Sequence, residues 1–213
     1  MALEFRIART RTEKERVYRL RYDVYIEEMG WLLSVDHEKK LITDWMDSTA
    51  TIFYGVEDGQ VVATGRSNWY RDGAFELEAE YQIGQFVPYY PDRVTTTTKT
   101  MIRKDYRRSD VTVQLVSYMY EEGMRKGAAF DFINSSGHLF MFYEKLGYRL
   151  YIDNIKHSEY GQVVPMVLAL DDIGHLLKVR SPLLPICRKY VEGHDRILQR
   201  LNSYSGKLRS PVA

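Results

Sequence analysis

Tyr143 lies in the stretch FYEKLGY, Phe142 to Tyr148, behind INSSGHLFM. A phenol titrates near about 10 and a thiol near about 8.5, so this side chain can give a proton to a departing thiolate. Leu139, Phe142 and Leu146 share its helical stripe, where packing alone would also account for a ring. A second locus is RKDYRRSDVTVQLV, a basic turn between a strand and a helix. There Arg107 and Arg108 meet the unpaired amides of a new helix, which suits a phosphate or pyrophosphate. Asp110 can instead cap those amides. Cys187, the single cysteine, has no recognisable base partner, and no other nucleophile motif appears, so no covalent intermediate on the protein is expected. The five scattered histidines give no ligand spacing, so no metal is expected.

These groups need elements to hold them. A helix over about Gly137 to Leu146 can stop at Gly147, which tolerates the left-handed cap. VTTTTKTMI, Val94 to Ile102, is rich in β-branched residues and predicts a strand, and TVQLVSYMYEEGMRKG predicts a helix closed by Gly127. Two β-rich runs flank Asp58-Gly59, a hairpin signal. AAFDFIN, YRLYIDNI and VVPMVLAL bring the sheet to about six strands. RTEKERVYRLRYDVYIEEMGW predicts an amphipathic helix ending near Gly30, with Val17, Leu20, Val24 and Tyr25 on one side. Residues 75–92 are aromatic and turn-rich. Phe75, Tyr81, Phe86, Tyr89 and Tyr90 can line an apolar channel or fill a solid core. Beyond Leu170 two short helical patterns are broken by Pro182 and Pro185, too little for a separate core, and are expected to pack back on the sheet.

The 213 residues, 45% hydrophobic, allow one domain with an appendage. Thirty Lys and Arg against 29 Asp and Glu give no reason to expect a nucleic-acid partner. With no signal peptide after Met1 and no apolar run near the length of a membrane span, a cytoplasmic location is expected.

The order strand, YRRSDV, amphipathic helix, strand, FYEKLGYRL resembles the second half of GNAT-type N-acyltransferases. The resemblance implies an α+β fold, a GNAT-like central mixed β-sheet flanked by helices over residues 1–170, with a C-terminal helical extension over 171–213. It also implies a donor-binding turn for an acyl thioester, carried here by Ile102, Arg103, Arg107, Arg108, Ser109, Asp110, Val111 and Thr112, and Tyr143 as the acid that protonates sulfur. A backbone amide near Thr100 to Ile102 would stabilise the oxyanion. Typical turns of this kind have glycines where Arg108, Asp110 and Thr112 stand.

The front half, VYRLRYDVYIEEMGW with Asp44, Asp47 and ATGR, is similar to acyl-homoserine-lactone synthases and N-acyl amino acid synthases. On that likeness Arg21, Trp31, Asp44, Asp47 and Arg66 order the acceptor side, and Tyr25, Phe86 and Tyr89 are further candidates for substrate contact. The attacking amine must lose a proton, for which Glu80 or Glu78 through water is the candidate base. Lactone synthases carry ELSRF where this chain has Thr97 and Thr100 at the Glu and Arg places, which argues against S-adenosylmethionine as acceptor. The expected reaction moves a medium- or long-chain acyl group from acyl carrier protein phosphopantetheine or acyl-CoA to a primary amine of an amino acid, small amine or peptide. An acetyl-CoA-dependent N-acetyltransferase and a catalytically silent acyl-thioester sensor are the alternatives.

Overall fold

The computed structural model describes residues 2–31, 35–73, 78–107, 109–157 and 161–193. Its centre is an eight-stranded sheet: β1 (Glu4–Ile7), β2 (Thr51–Glu57), β3 (Gln60–Trp69), β4 (Val94–Ile102), β5 (Phe130–Ser135), β6 (Arg149–Leu150), β7 (Ile155–His157) and β8 (Gly161–Ala169). The strand order is β1-β2-β3-β4-β5-β8-β6, with β7 also pairing β8. The β4–β5 pair is parallel and the other described pairs are antiparallel, so the sheet is mixed. Helices α1 (Arg11–Tyr22), α2 (Val111–Arg125), α3 (Phe140–Leu146) and α4 (Ile173–Lys178) flank it.

The expected count of about six strands falls short by two. β1 is a half-exposed edge strand of four residues whose alternation, Glu-Phe-Arg-Ile, is at the lower limit of length for a strand signal. YRLYIDNI divides into β6 and β7 because Tyr151 and Ile152 leave the ladder to pack on an aromatic cluster. The other strands lie where β-branched residues put them, and the β2–β3 hairpin turns on Asp58 and Gly59 at φ +48° and +77°.

α1 opens on a capping box in which the Thr10 and Glu13 side chains satisfy each other's backbone amides, and it buries Val17 and Leu20. From Asp23 to Glu28 the helix widens to a π-helical turn, a departure from the regular spacing expected there. The wider turn delivers Trp31, whose amide donates to the Tyr25 carbonyl at 2.9 Å.

Period-two alternation gives the sheet two different faces. Ile52 and Tyr54 pack with Val17 under α1, whereas Phe53, Ala63 and Ile102 pack with Leu115 and Met119 of α2. Ile133, Met166 and Leu168 continue the α2 face towards α3. Leu176, Leu183 and Cys187 join that same cluster, and the Ser181 hydroxyl donates to the Leu146 carbonyl at 2.6 Å.

Between β4 and β5 the sheet opens. Their register holds for Val94↔Phe130, Thr95↔Asp131 and Thr96↔Phe132, after which β4 stays with β3 and β5 stays with β8. Near the opening β4 carries an irregularity: Lys99 sits at φ +52°, and the β3 register shifts so that Thr64 faces Met101 while Arg66 faces Thr98.

α3 ends as its glycine predicts, with Gly147 at φ +115° and its amide donating to the Tyr143 and Glu144 carbonyls. A β-carbon on Gly147 would come 2.5 Å from Leu176 Cδ2. Gly147→Ala is therefore expected to cost about 2 kcal/mol, from left-handed strain and displacement of α4 together. The urea midpoint measures it, and an unchanged midpoint would refute this reading of the junction.

Candidate active site

The opening between β4 and β5 leads on the α2 face to a small cavity of about 30 Å³. Thr95, Thr97, Thr100 and Asp131 line its sheet side, Val116 and Met119 its α2 side, and Tyr143 and Tyr148 close it from α3 and the turn after it. Tyr143 is half-buried and its hydroxyl makes no hydrogen bond with a described residue. Burial, aided by the Asp131 charge, pushes its phenol up to about 12.

Asp131 was not singled out in the sequence. It sits at 7% exposure, accepting from Thr95 Oγ1 at 2.6 Å and Thr97 Oγ1 at 3.1 Å on one oxygen and from the Tyr148 hydroxyl at 2.6 Å on the other. Burial pushes its carboxyl above the ordinary range, with the three donors opposing. The signal was available: a carboxylate inside AAFDFIN, between two phenylalanines in a central strand, has to be paired with something.

On the opposite face the structure gathers the acceptor-side residues named from the sequence. Arg21, fully buried, donates from Nη1 to both Asp47 oxygens at 2.9 and 2.8 Å. Arg66, at 2% exposure, reaches Asp44, Asp47 at 3.3 Å and Thr98 Oγ1 at 2.9 Å. Asp44 and Asp47 also cap each other across the 3-10 turn Trp45–Ser48. Burial raises the Asp44 carboxyl, but Arg66, with Lys99 and Arg21, outweighs it and holds the group below the usual carboxylate range. Lys99 Nζ lies 3.6 Å from Asp44 and 5.3 Å from the Tyr25 ring centre, and Tyr25 stacks on Trp31 at 4.6 Å. The irregular turn at Lys99 explains how Thr98 and Lys99, adjacent in sequence, both serve this one face.

Other residues stand elsewhere than the expected chemistry asked. Glu80 is exposed, and the next residue, Tyr81, is buried in an aromatic cluster with Tyr70, Phe132 and Val167 on the face away from α2. Glu78 accepts from the Tyr90 hydroxyl. Phe86 and Tyr89 belong to the same cluster, with Phe86 4.8 Å from Phe132 and Tyr89 5.2 Å from Phe130, ring centre to ring centre. Tyr81 is buried there, while Phe86, Tyr89 and Tyr90 stay half-buried against the cluster.

The basic turn is also more committed than its sequence suggests. Arg107 forks onto the Glu28 carboxylate and donates from Nε to the Ile102 carbonyl at 2.9 Å. Arg103 turns to Gln60 and Asp105. Asp110 makes no side-chain cap, a correction to the alternative considered above; the Ser109 hydroxyl accepts from the Val111 amide at 3.3 Å instead. Val111 is buried and Thr112 half-buried at the start of α2. Phe75 and Arg108 lie outside the described residues.

A half-open sheet, a helix starting beside the opening and a tyrosine from α3 at its base make up a GNAT-type acyltransferase fold. Residues 16–170 match the sequence pattern of the N-acyl amino acid synthase FeeM. The chain belongs to the FeeM family. Among solved structures, FeeM from uncultured soil microbes superposes with a TM-score of 0.67 at 12% identity, over 84% of this chain and 97% of that one. The acyl-homoserine lactone synthase LasI gives 0.64 at 16% identity, over 79% and 90% of the two chains. MesI, a CoA-dependent acyl-homoserine lactone synthase, gives 0.62 at 16% identity, over 87% and 94%. No curated protein matches this chain. Among the described residues no cluster of His, Cys, Asp or Glu could hold a metal ion. No described helix is long and apolar enough to cross a membrane.

Proposed function

We propose that this FeeM-family chain transfers an acyl group from a phosphopantetheine thioester to a primary amine, by direct attack of the amine on the thioester carbonyl. The observation that carries the reading is Tyr143: a protonated phenol lining the cavity at the β4–β5 opening, with its hydroxyl uncommitted to any described residue. The amine nitrogen bonds to the carbonyl carbon and the carbon–sulfur bond breaks. Tyr143 gives its proton to the sulfur and regains one from the amine through solvent. Backbone amides at the β4 irregularity, Thr100 to Ile102, face the developing oxyanion. Arg66, Asp44 and Asp47 act by holding Lys99, Tyr25 and Trp31 in place on the acceptor side, since their polar atoms are spent on one another.

The donor comes on acyl carrier protein or on CoA. Several cations of the β4–α2 region are already paired, Arg107 with Glu28, Arg103 with Asp105, and Arg125 and Lys126 with Glu122. The positive field available to an acidic carrier is therefore smaller than the count of basic residues implies. Matched acyl groups on carrier protein, CoA and pantetheine, each offered with a panel of amino acids and small amines, test the reaction. Thiol release that depends on both donor and amine is expected. Release that ignores the amine, or a donor that stays intact with every amine, refutes transfer.

A further inference from the structure

We propose that Glu28 competes with the donor's phosphate for Arg107 and so sets how strongly the donor turn holds a phosphate-bearing donor. The proposal rests on the acyl-transfer reading above and names a residue that tunes donor choice at that site. Arg107 stands between the end of β4 and the start of α2. Its Nε donates to the Ile102 carbonyl at 2.9 Å, and its two outer nitrogens fork onto the Glu28 carboxylate, with Nη2 at 2.8 Å from Oε2. A guanidinium offers such a two-pronged edge to carboxylate and phosphate alike. With Nε spent on Ile102, the edge that Glu28 holds is the one a phosphate would take.

Glu28 belongs to neither β4 nor α2. It is the last residue of the π-helical turn Asp23–Glu28, and the chain after it is braced: the amides of Met29, Gly30 and Trp31 donate back to the Val24, Ile26 and Tyr25 carbonyls at 2.9, 3.2 and 2.9 Å. The carboxylate is thus presented to Arg107 from an ordered segment. The side chains of the pair are 24% and 41% exposed, so water screens it and it contributes little to the fold. Its effect falls on any other anion that approaches Arg107. That anion either replaces Glu28, forfeiting the existing pair, or joins it and meets a like charge. Both costs fall on a phosphate and neither on the uncharged pantetheine arm.

The test is calorimetry on the full chain with three uncleavable thioethers of one alkyl group, S-octyl-CoA, S-octyl-4′-phosphopantetheine and S-octylpantetheine. The first two carry phosphate as CoA and a carrier's prosthetic group do, and the third carries none. Glu28→Gln is expected to tighten the phosphate-bearing compounds relative to S-octylpantetheine by about fivefold, the effect of one unit charge at roughly 4 Å in water. Added salt should shrink that gain, and Arg107→Met should abolish it, since nothing remains to compete for. Asp105→Asn removes a carboxylate that is 70% exposed and paired with Arg103, and should change the ratio by less than about twofold. Equal gains for the two phosphate-bearing compounds place the competition at the phosphate of the pantetheine arm, and a larger gain for S-octyl-CoA places it at the nucleotide; either supports the proposal. A ratio that Glu28→Gln leaves unchanged overturns it, as does a gain that survives Arg107→Met, an equal gain from Asp105→Asn, or an unaltered protein that binds none of the three. Binding is read without turnover. A protein that shows the expected ratios but acylates no amine would sink the proposed reaction and leave the role of Glu28 standing.

Discussion

Replacing Tyr143 with Phe is expected to lower kcat by about 100-fold or more while the dissociation constant of the acyl donor stays within about twofold. The ring keeps its edge contacts with Phe142 at 5.3 Å and Tyr148 at 5.5 Å, so the fold around α3 has no reason to change. Only the hydroxyl goes, and that hydroxyl supports no described neighbour. What is lost is a proton at the moment the carbon–sulfur bond breaks. Because burial and Asp131 raise the phenol to about 12, it stays protonated through the alkaline range in which an amine loses its own proton. The rate should therefore climb as the amine deprotonates, with no fall from Tyr143 below a pH of about 12. Turnover of the Phe variant within twofold of the parent rejects the assignment. A reproducible fall in rate near an ordinary tyrosine pKa of about 10 would show that the proton donor sits in a wetter place than Tyr143 does.

The parts of this site that could be read from the sequence are those in which a local rule acts alone. Gly147 ends α3 because no other residue enters the left-handed region as cheaply, and Val94 to Ile102 form a strand because β-branched side chains suit a pleated surface. The acceptor-side residues were named through resemblance, and the structure does bring Arg21, Asp44, Asp47 and Arg66 together, along with Tyr25 and Trp31. What spacing could not give is the direction in which a side chain spends its charge. Arg107 looks like a phosphate ligand until Glu28, 79 residues away in sequence, is seen to hold it. Asp131 looked like one more residue of an apolar strand until the parallel register placed Thr95 opposite it and the turn after α3 brought Tyr148 across. Likewise the aromatic residues of the 78–92 segment carry no signal that separates a channel from a core. That depends on how they meet Phe130, Phe132 and Tyr151, and Phe86 stays half-buried against all three.

Asp47→Ala should be the most damaging single change on the acceptor side, at about 3–5 kcal/mol of folding stability, because it strips a partner from two guanidinium groups that water cannot reach. Asp47 is 5% exposed and accepts from Arg21 twice, from Arg66, and from the Asp44 amide at 3.0 Å. The two arginines do not lose equally. Arg66 keeps Asp44 and Thr98, whereas Arg21 already has Nε and Nη2 without a hydrogen-bond partner and would lose its one carboxylate. Most of the cost should thus come from Arg21, and removing its charge together with that of Asp47 should return much of the loss. The double variant Arg21→Met, Asp47→Leu is expected to recover at least about half of the stability that Asp47→Ala loses, since a well-packed apolar pair often matches a buried ion pair. Stability and function can then be separated in that double variant. Without Asp47 the Asp44 amide loses its acceptor, and Asp44 is the residue that faces Lys99 beside the Tyr25–Trp31 stack. A double variant with recovered urea midpoint, raised KM for the amine and unchanged KM for the donor would place the network's function in aligning the acceptor. Recovery of stability and amine KM together would reduce it to a scaffold. An unfolding free energy for Asp47→Ala within about 1 kcal/mol of the parent would mean that water reaches Arg21 after all, against its complete burial.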